Sequence, residues 1–381
     1  MTDRTPIDSG TTDATATTTS AADPFAAVPA AVVDDGMLLH LGAPSAEQRA
    51  LATGTAVAPL GDRTVLAVTG EDRLSWLDSL SSQALKGLAA GASTELLILD
   101  PRGHVEHAAA VVDDGETTWL IVDRTGAESL LTWLTRMRFR LRVAPRDASD
   151  EVAVVGGTAE AIAREVPEAT AVWTDPWPAV AVGGWGYAPA DPHPGFDRDW
   201  SEAIVPRASL DRLATAARDG SLSLAGTLAA DALRIAAWRP RASAEGGERT
   251  LPHEADWLRT AVHLDKGCYR GQETVAKVHN LGHPPRRLVA LQLDGSDALL
   301  PVPGAVVRRD GDAVGEVTSV ARHFEEGPIA LAFLKRSVPL DAALTVDTDE
   351  GAVAAAQETI VPPDAGATAA IPRLPRLSRR R

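Results

Sequence analysis

Apolar residues follow two rhythms along this chain, and the points where one gives way to the other mark its elements. Thr64 to Val68 is a β-rich run that ends at Gly70, and Glu71 to Ser81 then carries Leu74, Leu77 and Leu80 at helical spacing. A strand followed by an amphipathic helix is predicted. Glu95 to Asp100, His107 to Val112 and Thr118 to Val122 read as further strands, parted by turns at Pro101-Arg102-Gly103 and Asp113-Asp114-Gly115. They form a meander. Ala127 to Phe139 places Leu130, Leu131, Leu134 and Met137 on one face, the pattern of a helix that covers a sheet.

Short strands return around Val152 to Val155 and Val180 to Val182, and helical spacing returns at Leu210 to Ala217 and Ala225 to Trp238. Arg239 to His253 holds Pro240, Gly246-Gly247 and Pro252 and reads as a loop. After His283-Pro284-Pro285 the texture changes. Leu288 to Leu293, Ala305 to Arg308, Val314 to Val320, Ile329 to Phe333 and Leu344 to Val346 are short strands between Gly and Asp turns, as in a small β-barrel or sandwich. The expected class is α+β. Residues 31–285 form a core of two α+β lobes, 31–148 and 149–285, followed by a β-module over 286–362. Residues 1–30 and the basic stretch 363–381 are expected to be disordered tails.

Composition narrows the function. At 381 residues with 45% hydrophobic content, the chain can build several cored domains. A net charge of -15 argues against direct, sequence-independent nucleic-acid binding, which rests on basic surface. No apolar run is long enough to span a bilayer, and the N-terminal stretch holds Asp3, Asp8, Asp13 and Asp23 without a secretory or transit pattern. A cytoplasmic protein is expected, and a monomer, since no apolar surface stripe announces a dimer face.

The scarce residues gather in one place. The segment from Lys266 to Lys277 holds the only cysteine, Cys268, and one of two tyrosines, Tyr269. Lys266 and Arg270 put positive charge beside the thiol, which favours the thiolate. One cysteine excludes an internal disulfide, a C-x-x-C redox pair and a four-thiolate cluster held by this chain alone. The plain alternative is a small buried apolar side chain, but its neighbours are polar and bounded by glycines. His253, His263, His279 and His283 flank the segment without paired helical spacing, so no intrinsic metal site is expected. Trp238 and Trp257 bracket the glycine-rich loop, with Arg234, Arg239 and Arg241 nearby. Such residues suit a planar heterocycle with a carboxylate tail, or equally a core tryptophan and solvated arginines.

Lys266-Gly267-Cys268-Tyr269-Arg270-Gly271-Gln272-Glu273 resembles the K-G-C-Y-x-G-Q-E signature of YgfZ-type folate-binding proteins, relatives of the aminomethyltransferase (T-protein) of the glycine cleavage system. Val68-Thr69-Gly70-Glu71-Asp72-Arg73, Leu233-Arg234-Ile235, Pro252-His253-Glu254 and Gly315-Glu316-Val317-Thr318-Ser319 fit in order, over about Val32 to Pro362. The resemblance implies an aminomethyltransferase-like, three-lobed folate-binding core closed by a C-terminal β-barrel. Its cofactor would be tetrahydrofolate or another folate.

It also implies an accessory role, not that of a classical enzyme. The chain would support iron–sulfur cluster assembly or repair in client enzymes, including radical enzymes that thiolate tRNA. Cys268 would be essential, with any cluster transient and shared with a client or carrier protein. Lys266 would lower the thiol pKa, Gly267 and Gly271 would shape the loop, and Tyr269, Gln272 and Glu273 would fix it. Arg234, Trp238 and Glu106 would contact folate. Where the T-protein has its catalytic aspartate, this chain offers Glu106 and His107. The alternatives are a tetrahydrofolate-dependent aminomethyl transferase that uses Glu106, and a binding module with a structural thiol.

Overall fold

A computed structural model describes residues 23–296 and 299–369. The chain opens with the hairpin β1 (Val32–Asp34) and β2 (Met37–His40), helix α1 (Pro44–Ala52) and the short strand β3 (Ala58–Pro59). The first lobe follows: β4 (Arg63–Thr69), α2 (Arg73–Leu80), β5 (Ser93–Leu99), β6 (Val105–Asp113), β7 (Thr117–Asp123), α3 (Ala127–Met137) and β8 (Ala144–Asp147). Its five strands form an antiparallel sheet in the order β5-β6-β7-β4-β8. The predicted meander is the β5-β6-β7 part, and α2 and α3 cover one face. Leu77, Leu130 and Leu134 bury there against Leu66, Val111 and Leu120, each contributing roughly 1.5–3 kcal/mol.

The second lobe holds β9 (Val152–Gly157), α4 (Ala159–Glu165), β10 (Ala171–Thr174), β11 (Ser201–Pro206), α5 (Ser209–Arg218) and α6 (Thr227–Ala236). Its sheet runs β10-β11-β9-β3, so β3 crosses from the start of the chain to close the edge. Phe25, Leu38 and Val57 pack with Val155, Ile162 and Leu213. The expected division at residue 148 therefore needs correcting: the segment before β4 belongs with the second lobe. An unstructured tail to residue 30 is likewise overturned for 23–30, where Pro24–Ala27 forms a 3-10 turn capped by Asp23 and buries Phe25. Residues 1–22 and 370–381 lie outside the described residues.

After the short α7 (Ala242–Glu245) and the helix α8 (Gln272–Leu281) come β12 (Arg286–Leu293), β13 (Val306–Arg309), β14 (Asp312–His323), β15 (Gly327–Lys335), β16 (Leu344–Thr348) and β17 (Gly351–Thr359). They close into a six-stranded antiparallel barrel, β12-β15-β14-β13-β16-β17. β15 is apolar on both faces because both are covered. Ala330, Ala332 and Leu334 fill the barrel, while Ile329, Leu331 and Phe333 join a central core with Leu97, Trp257, Tyr269 and Val275. β17, an alanine-rich strand, escaped the sequence pattern.

Two further expectations change. Val180–Val182 is loop, not strand: the Ala181 N–H donates to the Arg259 carbonyl at 2.8 Å, and Val182 stays 87% exposed. Residues 363–369 are no free tail. Thr368 and Ala369 N–H groups donate to the His279 and Asn280 carbonyls at 2.9 and 3.1 Å, and so cap α8, whose last turn lacks intrahelical partners. No described helix is long and apolar enough to cross a membrane.

Candidate functional site

The signature loop is anchored from below by its lysine. The Lys266 side chain is 3% exposed, and its Nζ donates to the carbonyls of Asp78, Ser81 and Gln83 at 2.5, 2.8 and 2.6 Å. Burial presses its pKa down to about 8, with the Asp78 carboxylate pulling the other way. All three of its donors serve the segment that closes α2. The expected role beside the thiol is therefore replaced by a structural one: Lys266 ties the loop to the first lobe.

Gly271 supplies the second anchor. At φ +83° it sits in the left-handed region, and a Cβ there would stand 2.7 Å from the Asp100 carbonyl oxygen and 2.9 Å from Gly103 Cα. This close approach seats the loop on the β5–β6 turn. Arg270 crosses to the same hairpin, with Nη1 and Nη2 donating to Glu106 at 2.7 and 3.3 Å. Tyr269 is buried in the central core beneath Lys266, and Gln272 donates weakly to the Lys266 carbonyl at 3.4 Å. Glu273 is exposed in the first turn of α8, where its charge suits the helix dipole. Among the described residues its carboxylate meets no partner, so the expected part in fixing the loop falls to Lys266 and Gly271. Gly267 faces open space, and Cys268 beside it is exposed.

Pro252-His253-Glu254 braces this arrangement. His253 Nε2 lies 3.1 Å from the Val275 carbonyl of α8, and burial pushes its pKa down to about 3. Glu254, fully buried, accepts from Arg286 at 2.9 Å and so ties the loop to the first barrel strand.

A separate cavity of about 70 Å³ lies between the two lobes. Its wall is a lattice of arginines and carboxylates. Arg241 pairs with Asp62 at 2.5 Å and Asp123 at 2.7 Å, Arg63 with Asp123 at 2.5 Å and Glu202 at 3.5 Å, and Arg239 with Glu95 at 3.0 Å and Asp175 at 3.2 Å. Arg63 and Arg241 hold the Asp123 carboxyl far below its usual range, against the opposing pull of burial. Two carboxylate oxygens in this wall, Glu202 Oε2 and Asp62 Oδ1, are buried without a partner. Among the described residues that line the cavity there is no cysteine, histidine or lysine. It can bind and orient, but it offers no such nucleophile.

Of the three expected folate contacts, only Arg234 lines this cavity. Arg234 bonds Asp231 at 2.5 Å, Glu245 at 3.3 Å and Ser319 Oγ at 2.7 Å, and so links α6 to the barrel. Trp238 is buried elsewhere, edge-on to His193 at 5.6 Å; Trp257, Trp173 and Trp200 form the aromatic wall instead. Glu106 lines an open cleft outside the cavity, paired with Arg270. Sequence reasoning missed Glu202. Its signal was present, a carboxylate inside the apolar strand Trp200-Ser201-Glu202-Ala203-Ile204-Val205. Among the described residues, no cluster of three His, Cys, Asp or Glu is placed to hold a metal ion.

Comparison with known proteins bears on the fold. Residues 286–362 match the family model of the glycine cleavage T-protein C-terminal barrel domain. The chain superposes on the glycine cleavage system aminomethyltransferase T from Bartonella henselae with a TM-score of 0.66 at 17% identity, covering 87% of this chain and 93% of that one. At that identity the likeness is one of fold. The Arabidopsis thaliana protein named "Putative transferase At1g60990, chloroplastic" is 30% identical over 123 residues, 32% of this chain. The chain spans 27% of that relative's length. The mixed α/β body closed by a six-stranded barrel is thus the aminomethyltransferase-like fold.

Proposed function

We propose that this chain is a folate-binding accessory protein of the YgfZ type, which supports iron–sulfur cluster assembly or repair in client enzymes through Cys268. The observation that carries this reading is the separation of its two working parts. The thiol stands exposed on a loop made rigid by Lys266 and Gly271, whereas the cavity between the lobes has no thiol, imidazole or amine among its described lining residues. A reactive group held outside the binding cavity suits work on a partner protein.

The cavity wall has the chemistry for a pterin. Glu202 Oε2 and Asp62 Oδ1 are buried acceptors without donors. Such atoms are costly unless a ligand's N–H groups meet them, and the amine and amide edge of a pterin has those groups. Arginines of the same wall suit the carboxylates of a folate tail. The free space of about 70 Å³ is below the roughly 300 Å³ at the lower end of ligand pockets. Binding therefore opens the wall, whose loosest ion pairs are Arg241–Asp231 at 4.0 Å and Arg63–Glu202 at 3.5 Å. When bound, folate would supply one-carbon or redox chemistry; the chain's part is to hold it.

Glu106 argues against aminomethyl transfer as the main task. It occupies the position that resemblance gives to the T-protein's catalytic aspartate, yet it is engaged by Arg270 on the cleft side.

The test is anaerobic calorimetric titration of tetrahydrofolate into wild-type protein, Cys268→Ser and Glu202→Gln, with iron–sulfur enzyme activities measured in cells that carry each form. Folate binding by Cys268→Ser without restoration of those enzymes is the expected result. Full restoration by Cys268→Ser would remove the thiol from the function, and no folate binding by the wild type would leave the fold without its cofactor.

A further inference from the structure

Beyond α3 the chain makes a tight turn through Arg138, Phe139, Arg140 and Leu141. Phe139 is 77% exposed on a left-handed backbone at φ 45°, and Leu141 is 45% exposed. Left-handed geometry at a bulky residue is disfavoured, and the exposed ring recovers nothing within the molecule. The guanidinium groups of Arg136, Arg138 and Arg140 are exposed and, among the described residues, make no ion pair or hydrogen bond, whereas Arg142 is engaged by Glu71 and Asp72. Three free guanidiniums around two exposed apolar side chains stand out on a chain of net charge -15. Aromatic residues and arginine are the types enriched at protein interfaces and their hot spots.

Arg136, just before the turn, lines a broad surface cleft of about 980 Å³. Trp133 and Arg136 of α3 form one wall; Asp100, Glu106 and Glu248 stand across from them. Glu106 in turn holds Arg270 at 2.7 Å, two residues from Cys268. The cleft thus runs between Arg136, at the edge of the turn, and Glu106, which holds the signature loop through Arg270.

We propose that the Arg136–Leu141 turn docks the acidic patch of a protein partner, the iron–sulfur client itself, which then lies over this cleft toward Cys268; the proposal rests on the function proposed above. The partner's carboxylates meet the free arginines, and one of its apolar side chains packs on Phe139. Charge separates this partner from a nucleic acid. The carboxylates of Asp100, Glu106, Glu128 and Glu248 line the cleft and repel a uniformly negative phosphate backbone, whereas a protein can set carboxylates on the turn's arginines and basic side chains over the cleft.

The test uses the full chain and the purified iron–sulfur enzyme whose activity falls furthest in cells lacking it. Binding is followed by biolayer interferometry for wild type, Phe139→Ala, the double variant Arg138→Glu/Arg140→Glu, and Cys268→Ser. The exposed positions leave the fold intact, checked by melting temperature and by folate titration. We expect Phe139→Ala to weaken binding about tenfold or more, the double variant to weaken it further, added salt to weaken the wild type, and Cys268→Ser to bind as the wild type does. Wild-type binding too weak to detect would overturn the proposal. So would patch variants that bind and support the enzyme normally while Cys268→Ser fails in cells; the functional reading would then survive alone. Patch-dependent binding of a labelled tRNA, tighter than that of the enzyme, would replace the protein partner by RNA. Full support by Cys268→Ser would sink the functional reading instead, with docking then judged by the affinities.

Discussion

Gly271 and Gly103 meet backbone to backbone, so that a Cβ on either would collide: Gly271 with Gly103 Cα at 2.9 Å, Gly103 with Thr274 Cβ at 2.8 Å. Both have positive φ, +83° and +85°. The contact seats the signature loop on the β5–β6 turn. Gly271→Ala should cost about 1–3 kcal/mol in overpacking, with about 1 kcal/mol more for its left-handed backbone. The guanidinium chloride midpoint reads this directly, and an unshifted midpoint would mean that the loop is not clamped there.

The Arg270–Glu106 pair behaves differently. Its side chains are 34% and 35% exposed, so solvent screens the charges. Glu106→Gln should change stability by less than about 1 kcal/mol and leave tetrahydrofolate affinity as it is. If purified wild type turns over an aminomethyl donor with folate, and Glu106→Gln abolishes that turnover, the transferase reading takes over.

Glu202 offers one of the cavity's two unpaired carboxylate oxygens. Glu202→Gln replaces that acceptor with an amide that cannot match it, and tetrahydrofolate affinity should fall about tenfold or more, on the order of 1.4 kcal/mol. Calorimetry measures it. An unchanged affinity would move the folate site out of the cavity.

Buried titrating groups set opposing trends with pH. Burial lowers the pKa of His253 to about 3 and of His193 to about 4 from an ordinary 6.5, and raises that of Asp256 to about 7 from 3.8. As pH falls from 6.5, the unfolded chain binds protons that the folded histidines refuse, and stability is lost. Asp256 works the other way, since the folded state keeps its proton up to about pH 7 and loses stability as pH rises through that window. Each proton is worth up to about 1.4 kcal/mol per pH unit. Asp256→Asn should therefore steepen the loss of stability on acidification between about pH 4 and 6.5 by close to one proton, read from urea midpoints across that range. An identical slope in the variant would show that Asp256 is ionised throughout.

Period and turn residues made β4 to β7, α2, α3, α5, α6 and five of the six barrel strands legible, because each buries one regular stripe or face. β17 was hidden by its alanines, which carry little apolar contrast. α8 was hidden by the signature's own chemistry, which drew attention away from Val275 and Val278 at helical spacing. The site was half legible. Scarcity pointed to the Cys268 loop, but the sequence could not say that Lys266 reaches three carbonyls some 180 residues earlier. Nor could it bring Asp62, Asp123 and Glu202, from three separate strand ends, to one set of arginines. Such contacts depend on how the sheets stack, which local pattern does not encode.

The cap on α8 has a consequence for the order of assembly. Thr368 bonds the His279 carbonyl across 89 residues, and the whole barrel is synthesised between them. On the ribosome the helix behind Cys268 therefore emerges long before the segment that finishes it. The far end of that helix is among the last parts of the molecule to be completed, and a chain cut at Pro362 would carry the full signature on a helix still open at its end.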